Sequence, residues 1–307
     1  MTAPTESEAA SRPATDPLAL ALAPAAAIAI GGVPFVTVGL YRVGFDVPSA
    51  LFWRALFSFA VIAVAAMVMR TPVTTAWRNG GGRVFALALT IGTLQTFCYF
   101  QAISRLPTSV VILLFFLYPL VTIVLQRVVF GVRAAPLAIA AGVLILIGAG
   151  LTGSGTLRLE GVRLTDVAIA LVPPFTYAAY AIALVRVGGG LPVVAGAGMI
   201  QLGTLVGFML LALPGGLVVP WNVDGWARVA AVGVLGSAFH VLVLAYSLPR
   251  LGPTLYAIVS SLELVTVVVL GVLLLGETLS VAQWLGVVLV LVGILLYRPA
   301  RGGRPAE

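Results

Sequence analysis

Ala102-Ile103-Ser104-Arg105-Leu106 and Ser247-Leu248-Pro249-Arg250-Leu251 follow parallel courses, 145 residues apart in a chain of 307. The same offset brings Gln95 onto His240, Tyr118 onto Glu263, and Phe130-Gly131 onto Leu275-Gly276. Outward from these pentapeptides, apolar stretches recur between charged or Gly/Pro-rich breaks. They lie near residues 18–40, 49–69, 84–104, 107–129 and 134–152, then 164–186, 191–213, 226–248, 251–275 and 281–297. A hydrocarbon core about 30 Å thick takes roughly 20 residues of helix to cross. The expected fold is an all-α integral membrane protein with ten transmembrane helices in two five-helix repeats. An odd number of spans per repeat makes the second copy enter from the opposite side, so the repeats are inverted. That plan recurs among secondary transporters, with the substrate site near the midplane between the halves.

Composition supports a bilayer setting. Hydrophobic residues make up 61% and charged residues 9%, with a mean hydropathy of +1.15; a water-soluble domain carries about a quarter charged residues. The net charge of +7 comes from arginines scattered between spans, without the basic stripe that nucleic-acid binding needs. Cys98, the single cysteine, lies in an apolar run, which excludes a disulfide within the chain or a cysteine-based metal site. No cofactor is expected. The expected partners are a small-molecule substrate and membrane lipid, and the working unit is taken as a monomer.

Residues 1–17 are slightly acidic and lack the positive start of a secretory signal, so they read as a disordered cytoplasmic tail. The remaining divisions are a first repeat over 18–152, a connection over 153–163, a second repeat over 164–297, and a cytoplasmic tail over 298–307. With both termini inside, eleven of the 17 arginines fall on the cytoplasmic side, as the positive-inside rule asks.

Ionisable and strongly polar groups inside spans are costly, so they are candidates for function. Glu263 lies mid-way along the ninth stretch, with Tyr256 and Ser260 on the same helix face by spacing. It is either a protonated tie between helices or part of a watered pocket. His240, the only histidine, sits mid-way along the eighth with Ser237 one turn before it. It either bridges helices as a neutral ring or passes protons, and with Glu263 it forms the candidate pair for proton coupling. Gln95, with Gly92 and Tyr99 on its face, is the first-repeat counterpart of His240. Arg54 either snorkels to the outer interface beside Trp53 or anchors a substrate carboxylate; Gln201 holds a broadly equivalent place in the second repeat.

Pro34, Pro119 and Pro173-Pro174 are expected to interrupt helices. The hydroxyl and aromatic groups beside them, Tyr177 among them, offer contacts to a small organic substrate. Gly203 and Gly207 read as a helix-packing pair. Asn79-Gly80-Gly81-Gly82 and Gly188-Gly189-Gly190 read as loops rather than phosphate cradles. No motif for ATP hydrolysis is present, so energy comes from a gradient or from the substrate's own concentration difference.

Four segments resemble the drug/metabolite transporter superfamily, in its ten-span EamA-like branch. They are Phe52-Trp53-Arg54-Ala55; Tyr99 to Pro107 leading into Leu117-Tyr118-Pro119-Leu120; Ser261-Leu262-Glu263-Leu264, with Leu264 where proline is usual; and Leu275-Gly276-Glu277-Thr278-Leu279 followed by Gln283-Trp284-Leu285-Gly286. In the first repeat Val132 stands where the last element has Glu277, whose expected role is helix capping. The resemblance implies a single-chain transporter of the bacterial inner membrane, commonly an exporter of amino acids or related metabolites. It also implies a central cavity between the third, fourth, eighth and ninth helices.

These readings converge on a secondary transporter whose cavity is lined by Gln95, Tyr99, Tyr118, Tyr177, His240, Tyr256, Glu263 and Arg54. The competing readings are a passive channel or facilitator, a membrane-embedded enzyme, which a single histidine disfavours, and a structural subunit, which would need no intramembrane Glu or His.

Overall fold

A computed structural model describes residues 16–42, 44–131, 135–154, 163–220, 222–276 and 278–297. Both expected tails, apart from residues 16 and 17, lie outside the described residues, as do most of the connection between repeats and Glu277. Every regular element among the described residues is helical. Eight helices are long and apolar enough to cross a membrane: α1 (Pro17–Tyr41), α2 (Val47–Val68), α3 (Val73–Ile103), α4 (Val110–Phe130), α5 (Pro136–Gly153), α6 (Leu164–Gly188), α7 (Val193–Gly215) and α8 (Val223–Leu273). A shorter apolar helix, α9 (Val281–Leu296), comes after them.

Local sequence accounts for the helix ends. Asp16 caps α1, accepting from the Leu18 and Ala19 amides at 2.9 and 3.2 Å, and Asp46 caps α2 through the Ser49 amide at 3.0 Å. Proline stands at the first or second position of both helices, where its missing N–H costs nothing. Ser280 and Gln283 form a reciprocal capping box on α9. Gly131 ends α4 and Gly276 closes α8, both in the left-handed region with φ of 66°. These two positions are related by the 145-residue offset.

Two expected breaks fall within longer helical runs. The eighth and ninth apolar stretches form one run of 51 residues. A straight helix of that length would extend ~77 Å, more than twice the hydrocarbon thickness of ~30 Å. The run breaks at Gly252, with φ 76° and ψ 160° between Pro249 and Pro253. α8 therefore has two limbs, residues 223–251 and 253–273. The expected turn at Asn79–Gly82 is a kink within α3, where Asn79 and Gly80 leave helical geometry, Gly80 with φ 114°.

The expected proline interruptions are partly met. Gly32 and Pro34 mark a step in α1, and a turn at Phe116-Leu117 precedes Pro119 in α4. Pro173-Pro174 leave α6 continuous.

Packing crosses between the two sets of helices. α1 lies on both limbs of α8, α6 lies on α3 and α4, α2 pairs with α7, and α5 pairs with α9. Small residues set the closest approaches. A Cβ on Gly148 would lie 2.6 Å from the Gly286 carbonyl oxygen, and one on Gly286 2.6 Å from that of Gly148. Gly203 meets the Phe85 carbonyl and Gly207 meets Thr93, so this GxxxG pair seats α7 on α3. Two large apolar clusters result. One centres on Leu51, Phe115, Tyr118, Ile145 and Ile258, the other on Ile62, Leu184, Leu244, Leu248 and Tyr256.

Candidate functional site

Between these clusters lies a cavity with about 120 Å³ of water-accessible space. One water needs roughly 10–15 Å³ of such space, so there is room for several. Its lining takes Tyr99, Phe115 and Tyr118 from the first cluster and Tyr180, Ile200 and Leu244 from the second.

Seven of the eight expected site residues line this cavity: Arg54 on α2, Gln95 and Tyr99 on α3, Tyr118 on α4, Tyr177 on α6, and His240 and Glu263 on the two limbs of α8. Tyr256 does not. It is 1% exposed and packs within the second apolar cluster. Its i, i+7 relation to Glu263 assumes an unbroken helix, but the helix ends at Ser260 and restarts at Leu262. That turn falls between Tyr256 and Glu263, and only Ser260 and Glu263 reach the cavity lining.

One wall is aromatic. Tyr118 packs edge-on to Tyr177 at 4.9 Å, and Phe115 bridges Tyr99 at 4.9 Å and Tyr118 at 5.0 Å. The Tyr118 hydroxyl donates to the Ala257 carbonyl at 2.8 Å, fixing α4 to the second limb of α8. Tyr180 lies beside Gly92, where an added Cβ would meet its ring at 3.3 Å. Its hydroxyl is buried without a hydrogen-bond partner among the described residues. Gln201 and Thr204 of α7 add neutral polar groups.

The ionisable groups come from α2 and α8. Arg54 does not snorkel outward: Nε donates to the Ser237 hydroxyl at 2.7 Å, and its guanidinium stands 5.1 Å from the Phe100 ring centre. Trp53, its neighbour, donates to the Val218 carbonyl at 2.8 Å and meets Trp226 edge-on. His240 Nδ1 is buried with no partner among the described residues. Glu263 takes part in no ion pair among the described residues, although Arg54 faces the same space. A cavity with a cation and a carboxylate held apart, and an aromatic wall, can receive a small molecule with both charges and an apolar body.

Gln95 and His240 are each preceded by a π-helical stretch, Ala88–Gly92 and Val232–Ala238. Such stretches concentrate at functional sites because the extra residue re-aims the side chains downstream of it. Nothing in composition or periodicity marks them. Ser237 was legible as a neighbour of His240 but not as the partner of Arg54, and Tyr180 only as a tyrosine near the α6 prolines. Among the described residues no group of three or more His, Cys, Asp or Glu side chains gathers to hold a metal ion.

Helical spans, two sets of elements and a polar central cavity define a multi-pass membrane protein. The model of the EamA-like transporter family matches twice, over residues 17–154 and 165–298. The chain belongs to the EamA-like transporter family, whose members are transporters of the drug/metabolite type. A solved structure described only as a crystal structure of a protein is similar in fold, with a TM-score of 0.74 at 19% identity. The alignment covers 91% of this chain and 96% of that one. No curated protein matches the chain.

Proposed function

We propose that this protein is a secondary transporter exporting small, partly apolar zwitterions of the amino-acid type across the bacterial cytoplasmic membrane. In this reading the two limbs of α8 are separate spans and α9 also crosses, giving ten spans in two inverted repeats over 18–152 and 164–297. Both termini face the cytoplasm, and the protein acts as a monomer. Access alternates as the halves rock about the cavity. Arg54, Gln95, Tyr99, Tyr118, Tyr177, His240 and Glu263 contact the substrate; His240 and Glu263 couple its movement to protons.

The observation that carries this reading is the unpaired state of Arg54 and Glu263 on one aromatic-lined cavity. Opposite charges in a low-dielectric space attract strongly, and their separation suits a ligand with complementary ends. The proton-coupling role draws on His240 Nδ1, which has no partner among the described residues.

Flux of a panel of amino acids into proteoliposomes, with and without a pH gradient, tests the proposal. Saturable flux of an apolar zwitterion, driven by the gradient and lost in His240→Gln with Glu263→Gln, is the expected result. Non-saturating flux would mark a passive channel, and flux indifferent to the gradient would remove the coupling role.

A further inference from the structure

Arg54 carries five N–H donors. Among the described residues its one hydrogen bond runs from Nε to Ser237. The terminal nitrogens, the fork that matches a carboxylate, have no acceptor among the described residues. Glu263 lines the same cavity, yet no ion pair within 4.0 Å joins the two. A guanidinium on a flexible stem beside a carboxylate in a confined space would be drawn to it. Something holds it back.

Ser237 is placed to do so. It is 3% exposed and is not a lining residue, so it stands behind Arg54 rather than in the cavity. It belongs to the π-helical stretch Val232–Ala238. That stretch presses against α2 so closely that a Cβ on Gly233 would sit 2.9 Å from the Arg54 carbonyl oxygen. The Phe100 ring supports the guanidinium from another side.

We propose that Ser237 is a positioning residue: it tethers Arg54 away from Glu263, so that the guanidinium fork meets a substrate carboxylate while Glu263 stays open to the substrate's cationic end. This rests on reading the cavity as a zwitterion site. Bidentate pairing of the fork with a carboxylate is geometrically selective. A substrate analogue lacking that carboxylate leaves the fork unpaired and is rejected.

The test has two arms. The first uses no substrate: melting temperatures in detergent for the cycle of Arg54→Gln and Glu263→Gln, with Ser237 present and with Ser237→Ala. The expected result is weak coupling with the tether and strong coupling without it, with Ser237→Thr behaving as wild type. The second measures leucine uptake into proteoliposomes with leucinamide as competitor. Ser237→Ala is expected to raise the leucine KM about tenfold, the scale of one charged hydrogen bond, with little change in maximal rate. The preference for leucine over leucinamide falls by a similar factor, and Ser237→Thr restores both. If Ser237→Ala does not fold, Ser237→Cys, a weaker acceptor, is read the same way.

Equal coupling in both backgrounds, or wild-type KM and preference without the hydroxyl, would overturn the proposal. A wild-type protein that moves no amino acid would instead overturn the zwitterion reading, and the coupling arm would still decide the tether.

Discussion

Arg105 and Arg250 hold equivalent places in the two halves of the chain, and each is tied to an aspartate of the other half. Arg105 Nη1 lies 3.3 Å from Asp166 Oδ1, and Arg250 Nε lies 3.2 Å from Asp16 Oδ2. Asp16 caps α1 and Asp166 sits in the first turn of α6, the helices that open the two family matches. Each opening helix is thus pinned to the mid-repeat junction of the opposite half, in agreement with the packing of α1 on α8 and of α6 on α3 and α4. The arginines are 49% and 40% exposed, and solvent screening leaves ion pairs of this kind little stabilising worth. Their part is to set register between helices more than to add stability.

Asp16 gives this pairing a defined pH dependence. The Ala19 amide, the Tyr246 hydroxyl, the Leu18 amide and Arg250 together hold its carboxyl below the ordinary value of 3.8. A carboxyl lowered in the folded state stabilises it above the unfolded value and loses that contribution as pH falls through the folded one. Asp16→Asn keeps a helix cap and removes the charge. Its melting temperature is expected to lie slightly below wild type by a constant margin from pH 8 to 5, and the margin closes below pH 3.8. A margin that widens between pH 8 and 5 would contradict the assignment.

Neutralising the cavity charges should cost transport heavily. Arg54→Gln and Glu263→Gln are each expected to lower kcat/KM for a zwitterionic substrate by about tenfold to a hundredfold, the range for a lost charged hydrogen bond. Initial rates in proteoliposomes, normalised to reconstituted protein, supply the measurement. Wild-type rates in both variants would remove these residues from the site.

The seam between α5 and α9 is where a methyl group cannot fit. Gly148→Ala places a Cβ against the Gly286 carbonyl and the Val290 side chain, so the helices must part. Overpacking of this kind costs about 1–3 kcal/mol. A lowered melting temperature in detergent is expected, with the substrate KM unchanged because neither glycine lines the cavity.

Gly92→Ala acts in the opposite way. The added methyl reaches the Tyr180 ring at 3.3 Å, narrowing the cavity without touching the seams. A higher KM for bulkier substrates with a nearly native melting temperature is expected. Equal KM across substrate sizes would show that Tyr180 does not bound the site.

Much of this architecture was legible because lipid leaves a chain few options: apolar length marks the helices, and Glu263, His240 and Gln95 stand out against aliphatic neighbours. The family resemblance was legible from short segments such as Leu275-Gly276 and Phe52-Trp53-Arg54. Periodicity misplaced Tyr256 because it cannot register a turn at Ser261. The Asn-Gly-Gly-Gly run at Asn79–Gly82 was legible as a turn, but not the Val187 carbonyl, 107 residues away, that Gly80 approaches. The orientation of Arg54 was open for a similar reason. Whether it reaches lipid headgroups or Ser237 depends on how α2 sits on α8, a tertiary fact.

The two π-helical stretches set a rotational phase. Each α-helical residue turns the chain by about 100°, so an inserted residue rotates everything downstream by roughly that angle. At the start of these stretches, α3 seals against α7 through Phe85 and Ala88, and α8 seals against α2 through Gly233. Downstream, the same helices aim Gln95 and His240 at the cavity. A single-residue deletion within either stretch would keep the seal and swing the polar side chain away toward its neighbours, making each stretch a gear that lets one helix serve two differently oriented faces.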